Sequence, residues 1–171
     1  MPSFQDFYFQ SSTGRTSIHA LKCVPDSKPR AVVQIAHGIA EHIDRYRPFM
    51  EFLADNGFVV AGNDHLGHGK SIRVPEEQGF FAEKDGWWRV VDDMDKLHDI
   101  MSNEYPELPY VLFGHSMGSF LTRTYLIKHP DKYDGVILSG TGHQSPALVL
   151  GGNAAASIMA KLNGAMGDGA K

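Results

Sequence analysis

The sequence predicts an α/β protein in which a mostly parallel sheet carries helices on both faces. Two observations predict it. From Ala31 to Ser139, short apolar runs alternate with segments whose apolar residues recur at helical spacing, the pattern of repeated strand-helix-strand units. The runs Ala31-Val32-Val33-Gln34-Ile35-Ala36 and Gly135-Val136-Ile137-Leu138-Ser139 are also apolar at nearly every position, as strands covered on both faces must be. Composition agrees. With 42% hydrophobic residues, 21% charged residues and a net charge of −4, the chain is an ordinary globular one, and it has no basic stripe that would suit a nucleic acid.

Each element has a local reason. Phe4 to Gln10 and Ile18 to Val24 are mixed apolar-polar runs around Ser11-Ser12-Thr13-Gly14-Arg15, which predicts an antiparallel hairpin with a glycine in its turn. Ala31 to Ala36 is the third strand. Tyr46, Phe49, Met50 and Leu53 then recur at helical spacing and stop at Asn56-Gly57, a C-terminal signal. Phe58 to Gly62 is the fourth strand, and Trp87, Val90, Val91, Met94, Leu97 and Met101 form a helical stripe before Pro106 and Pro109. Tyr110 to Phe113 is the fifth strand, Phe120, Leu121 and Leu126 mark a helix ended near His129-Pro130, and Gly135 to Ser139 is the sixth strand. Residues 1–145 are read as one core and 146–171 as a separate segment. In the latter, a helix is expected from Ala154 to Leu162, and the glycine-rich residues 164–171 are expected to lack order.

One cysteine, Cys23, cannot form an internal disulfide, and the start Met1-Pro2-Ser3-Phe4-Gln5-Asp6 has neither the basic patch nor the apolar core of a signal peptide. A cytoplasmic location is the expectation. No apolar run approaches the roughly 20 residues that cross a bilayer.

The chemistry concentrates at Tyr110-Val111-Leu112-Phe113-Gly114-His115-Ser116-Met117-Gly118, a strand driven into a Gly-x-Ser-x-Gly turn. A serine on a sharp strand-to-helix turn has its hydroxyl pushed above the sheet, while small flanking residues let backbone and helix pass close beneath it. Ser116 is therefore the candidate nucleophile. It needs a base for its proton and donors for the oxyanion that forms on an attacked carbonyl. Met117 N–H, at the helix start, is one candidate donor. Ile39 N–H, following His37-Gly38 after the third strand, is the other, each donor being worth roughly 3–4 kcal/mol in the transition state.

Three blocks carry a resemblance: His37-Gly38-Ile39-Ala40-Glu41-His42-Ile43-Asp44-Arg45-Tyr46, Asn63-Asp64-His65-Leu66-Gly67-His68-Gly69-Lys70-Ser71, and Gly114-His115-Ser116-Met117-Gly118. In order and spacing they resemble the α/β-hydrolase superfamily, within it the monoacylglycerol lipase and lysophospholipase group, also called serine aminopeptidase S33-like. The resemblance runs from about residue 4 to residue 145. It implies an eight-stranded hydrolase sheet of which about six strands are present here. It also implies hydrolysis of single-chain acyl esters without cofactor or metal, a pocket touched by His37, Gly38, His115 and His143, and a cap that makes peripheral lipid contact. Ser119 stands where relatives often have a further glycine.

The larger departure lies after Ser116. Such hydrolases order their triad as Ser, Asp, His, but the only acids that follow are Asp131, Asp134 and Asp168 and the only histidines His129 and His143. None fits that order, so the triad acid and base are expected outside this chain. The chain is read as the front half of a hydrolase, inactive alone, with an apolar edge beyond the sixth strand that self-associates or pairs with a complementing C-terminal half. The competing reading is a non-catalytic, truncated hydrolase fold acting as a binding module or occurring as a fragment.

Other residues keep two readings. His65 and His68 beside Asp64 have metal-ligand chemistry, but Gly67 and Gly69 suit a tight structural loop. Glu41-His42 is either an acid-base pair or the fixture of the loop bearing Ile39. His115 is a packed residue or a pocket residue, and His143 a surface residue or an opportunistic base. Ile158, Met159, Leu162 and Met166 belong either to an acyl-binding cap or to an unpaired helix.

Overall fold

The computed structural model describes residues 1–163; the expectation of disorder for 164–171, and the cap role of Met166, lie outside the described residues. Six strands form one sheet in the order β1-β2-β4-β3-β5-β6. β1 (Ser3–Gln10) and β2 (Ser17–Val24) make the hairpin, and β2 runs antiparallel to β4 (Phe58–Asn63). β4, β3 (Ala31–Ala36), β5 (Tyr110–His115) and β6 (Gly135–Ser139) are parallel. The hairpin turn closes through Ser11 N–H to Thr16 O at 2.9 Å, with Gly14 at φ 70°.

Helix α1 (Arg47–Asp55), preceded by a 3-10 turn (Ile43–Tyr46), packs on one face. It covers Leu21, Cys23, Val33, Ile35 and Val60 with Met50 and Ile43. It ends where Gly57 adopts φ 85° and donates to Ala54 O at 2.9 Å, the left-handed termination that glycine favours. Gly62 in β4 makes room for the Ile43 side chain, which a Cβ there would strike.

Helices α2 (Gly86–Glu104) and α3 (Met117–Lys128) cover the other face. α2 lays Leu97 and Met101 over Val32, Val59 and Ala20, while Val90, Val91 and Met94 meet Leu112 and the α3 residues Leu121 and Tyr125. Each fully buried side chain of this size contributes about 1.5–3 kcal/mol. Cys23 is buried, and burial pushes its thiol up to about 11.

Helix α4 (Pro146–Asn163) begins eight residues before the expected start at Ala154. The sequence reading began the helix at Ala154, but Ser145-Pro146 starts it and it runs through Gly151-Gly152. Ser145 Oγ accepts from Leu148 N–H at 3.4 Å and Ser145 O from Val149 N–H at 3.1 Å, with proline at the first helical position. Residues 146–162 of this helix are exposed. Among the described residues no helix is long and apolar enough to cross a membrane.

Candidate active site

Ser116 joins β5 to α3 with φ 51° and ψ −117°, a conformation that costs a non-glycine residue on the order of 1–3 kcal/mol. Two glycines make the bend possible. A Cβ on Gly118 would run into the Ala36 carbonyl and lie 2.7 Å from His37 O, and one on Gly114 would lie 2.6 Å from Gly118 O. The start of α3 is thereby seated on the end of β3. The Ser116 backbone is fully engaged: its N–H donates to Ser139 O at 2.9 Å, and its carbonyl accepts Ser119 N–H at 2.9 Å and the Ser119 hydroxyl at 2.6 Å. Ser119, buried in the first turn, thus fastens the bend. Met117 opens α3, where an N–H has no intrahelical acceptor and the helix dipole favours negative charge.

The loop after β3 lies against this serine. A Cβ on Gly38 would be 3.1 Å from Ser116 Cβ. Gly38 N–H donates to Glu41 Oε1, which also accepts the Tyr46 hydroxyl at 2.8 Å, while Arg45 Nη1 stands 3.3 Å from Glu41 Oε2. Burial raises the Glu41 pKa, but the Tyr46 and Gly38 hydrogen bonds outweigh it and hold the carboxyl below its usual range. Glu41 therefore fixes the loop that bears Ile39, the second of its two readings, and His42 beside it is exposed.

His37 ties the same loop to the one after β4. Its Nδ1 donates to Gly38 O at 2.7 Å and its Nε2 accepts His65 N–H at 3.0 Å, which requires the neutral Nδ1–H tautomer. Burial lowers its pKa to about 4, so it carries no charge at neutral pH. His65 lies 4.1 Å from it, ring centroid to centroid, and is likewise kept neutral by burial.

Asp64 anchors this second loop. Oδ1 accepts Ile43 N–H at 2.7 Å, and Oδ2 accepts Lys70 N–H at 2.8 Å and pairs with His19 Nδ1 at 2.9 Å. His19 Nε2 meets Asp6 Oδ1 at 2.7 Å. Burial opposes charge on His19, but the Asp64 and Asp6 carboxylates outweigh it and raise its pKa. The carboxyl of Asp64 is spent on these bonds, and a Cβ on Gly69 would strike it; the block is the tight structural loop. The sequence reading missed this clamp because its members fall on three separate segments. The available cue was a histidine inside the otherwise apolar run Ile18-His19-Ala20-Leu21.

The remaining predicted residues separate. His115 is half-buried with Nδ1 3.3 Å from Ser139 Oγ, and it lines a cavity of about 400 Å³ with Glu41, Arg45, Tyr46, Pro48, Phe49 and Phe113. His143 is exposed beyond β6. His129 caps the far end of α3, about 20 Å along the helix from Ser116 at 1.5 Å per residue. Asp134 accepts Tyr110 N–H at 2.7 Å, at the end of β5 remote from Ser116. A second cavity, about 410 Å³, lies between the hairpin turn and residues 66–84, and Ser116 is absent from its lining. Asp95, His98 and Asp99 sit close enough to suggest a metal, but Lys132 Nζ already pairs with both carboxylates, at 2.6 Å from Asp95 and 2.9 Å from Asp99, and His98 Nε2 meets the Lys132 carbonyl at 2.9 Å.

The profile of the family described as serine aminopeptidase, S33 matches residues 27–168. The chain belongs to this family. A monoacylglycerol lipase of Mycolicibacterium smegmatis is 36% identical over 143 residues, covering 81% of this chain and 48% of the relative. Human monoglyceride lipase is 31% identical over 114 residues, covering 67% of this chain and 36% of the relative. Among solved structures, a thermostable carboxyl esterase from Bacillus coagulans, in complex with glycerol, superposes with a TM-score of 0.84 at 35% identity over 95% of this chain and 52% of that one. The fold is that of an α/β-hydrolase, and this S33-family chain spans about half the length of the relatives it matches or less.

Proposed function

We propose that this chain carries the nucleophile half of a serine esterase acting on single-chain acyl esters, of the monoacylglycerol or lysophospholipid type. The observation that carries the reading is Ser116 itself: a strained serine at a strand-to-helix bend, with its backbone fully bonded and the Gly38 loop packed against its Cβ. Ser116 Oγ attacks the acyl carbonyl and its proton passes to the base. The Ile39 and Met117 amides hold the oxyanion, the alcohol leaves with a proton returned by the base, and water then releases the acid. Glu41 and His37 serve as positioning residues by fixing the loop that presents Ile39. His115, next to Ser116 in the chain, and the cavity it lines with Phe49 and Phe113 are assigned to the acyl-binding side of the site, with His143 as a further candidate substrate contact.

The acid and base of the triad belong to the portion of the relatives' length that this chain does not span. Loss of the base lowers turnover by a factor on the order of 10⁶, so residues 1–171 alone are expected to show background hydrolysis of a nitrophenyl butyrate. A fluorophosphonate probe tests the nucleophile on residues 1–171 reconstituted with the C-terminal half of the Mycolicibacterium smegmatis relative. Labelling is expected at Ser116 and is expected to vanish in Ser116→Ala. Label that persists in the alanine variant rejects Ser116.

A further inference from the structure

The cavity between the hairpin turn and residues 66–84 has no part in the chemistry assigned to Ser116. Its volume, about 410 Å³, falls in the range that small-molecule sites occupy, and its lining comes entirely from residues 12–89. It lies at the β1–β2 end of the sheet, the end opposite β6.

Each wall is fixed by bonds of its own. Asp93, buried in α2, accepts Ser11 Oγ at 2.8 Å and Ser12 N–H at 2.5 Å, and Ser12 Oγ donates to the Arg89 carbonyl at 3.0 Å, which fastens the hairpin turn to α2. Across the cavity, Gly79 N–H donates to Gly67 O at 2.7 Å, and Gly67 N–H to Ser71 O at 3.2 Å. Gly67, at φ 73°, has no space for a side chain, since a Cβ there would lie 2.5 Å from the Phe80 carbonyl oxygen. A ligand entering meets walls already ordered, so little entropy is lost in shaping them.

The lining divides by chemistry. Leu66, Phe80 and Phe81 give it an apolar floor, and Leu66 and Phe81 continue into the cluster that holds Met117 and Leu121. Arg15 and Lys84, both exposed, and Arg89, half-buried, bring positive charge. The acids do not cancel it. Glu77 is spent on Arg73, accepting its backbone N–H at 2.9 Å and its Nε at 2.7 Å. Glu83 stands 4.0 Å from Arg15 with both side chains largely exposed, a contact worth little in water. Arg89 Nη1 is 3.9 Å from Asp92, which Lys128 Nζ already holds at 2.5 Å, and among the described residues Lys84 forms no salt bridge. In a chain of net charge −4, this lining is locally cationic.

We propose that the cavity binds an organic monoanion with an apolar chain, a medium-chain carboxylate, with its chain against Leu66, Phe80 and Phe81 and its head among Arg15, Lys84 and Arg89. A bare inorganic anion leaves the apolar floor uncovered. An uncharged alcohol leaves the cations without a partner. In the cavity beside Phe113 the same head group would meet Glu41 as well as Arg45. The acid released by the proposed ester hydrolysis has this chemistry, yet binding here does not depend on that reaction, because no residue of this lining serves Ser116.

The test uses residues 1–171 and decanoate below its micellar concentration, followed by calorimetry and by the amide shifts of the lining segments. One site per chain is expected, with shifts at 12–16 and 66–84. Arg15→Glu combined with Lys84→Glu is expected to weaken binding about tenfold. Lys28→Glu, exposed beyond the opposite end of β2, leaves it unchanged. Ser116→Ala is also expected to bind like the parent, so this site and the nucleophile fail or succeed separately. Decanol and inorganic phosphate are each expected to bind about tenfold more weakly than decanoate. Equal binding of decanol overturns the proposal because the charge is not read, and equal binding of phosphate because the chain is not. Shifts at 41–49 and 113 in place of 12–16 put the carboxylate in the ester site and overturn it as well, as does uptake that never saturates. Should the paired variant prove unfolded by circular dichroism, Lys84→Gln replaces it, with about a threefold loss expected and unchanged binding as the contrary result.

Discussion

Strands β3 and β4 lie under α1 on one face and α2 on the other, whereas β5 and β6 carry α3 on one face, and on the other α1 reaches β5 at Phe113 through Phe49 but leaves Ile137 of β6 half exposed among the described residues. The first half is also tied by charge. Asp64 gathers Ile43, Lys70 and His19, and His19 reaches across to Asp6 on β1. The second half contains the strained serine and the open edge. The contrast teaches that a parallel sheet can be covered on both faces at its centre while the strands beside the strained serine keep one face partly open.

Changes in the two halves should therefore have very different effects. Asp64→Ala removes the acceptor for three groups in a buried network and is expected to cost about 3–5 kcal/mol in urea unfolding. Ile137→Ala on the bare face should cost about 0.5 kcal/mol or less. Equal losses would show that the halves are not distinct. The two sides of α3 sharpen the point: Leu121→Ala, fully buried, should cost about 2–5 kcal/mol, and Ile127→Ala, 82% exposed, about 0.5 kcal/mol or less.

The charge clamp has a pH signature. The folded-state pKa of His19 is raised, so its contribution is fully present below about 6.5, the unfolded value, and is lost as pH rises through the folded value. Asp64 and Asp6 are lowered: burial raises Asp64, but His19 and the Lys70 and Ile43 amides outweigh it, while the His19 hydrogen bond dominates at Asp6. Their contribution is present above about 4 and lost as pH falls through their folded values. Urea midpoints measured from pH 5 to pH 9 should fall toward the alkaline end in the parent chain, and His19→Gln should flatten that slope. An unchanged slope in the variant would assign the pH dependence elsewhere. An effect of opposite sign is expected at the elbow, where Ser116→Gly relieves φ 51° and should stabilise the chain by about 1 kcal/mol or less after the added freedom of the unfolded glycine is counted.

Much of this was legible in the sequence for local reasons. Apolar runs and helical spacing placed all six strands and the first three helices, and Gly-x-Ser-x-Gly located the bend because the glycines it needs are adjacent in the chain. The two carbonyls that exclude a side chain at Gly118, from Ala36 and His37, were not visible there, nor was the Asp6-His19-Asp64 clamp. Both depend on strand order, which sets β2 beside β4 and β3 beside β5. Helix α4 was underestimated because paired glycines weigh against a helix, whereas Ser145-Pro146 had already begun one. The separation of His115 from the backbone turn, toward Glu41 and Arg45, required the alternation of β5 to be oriented against α1.

The left-handed serine has an evolutionary corollary. Glycine would sit at position 116 with less discomfort, so a lineage in which this hydroxyl had no task would drift toward it while keeping the rest of the scaffold. The identity of this one residue across near kin is therefore a gauge of whether the bend is still in use.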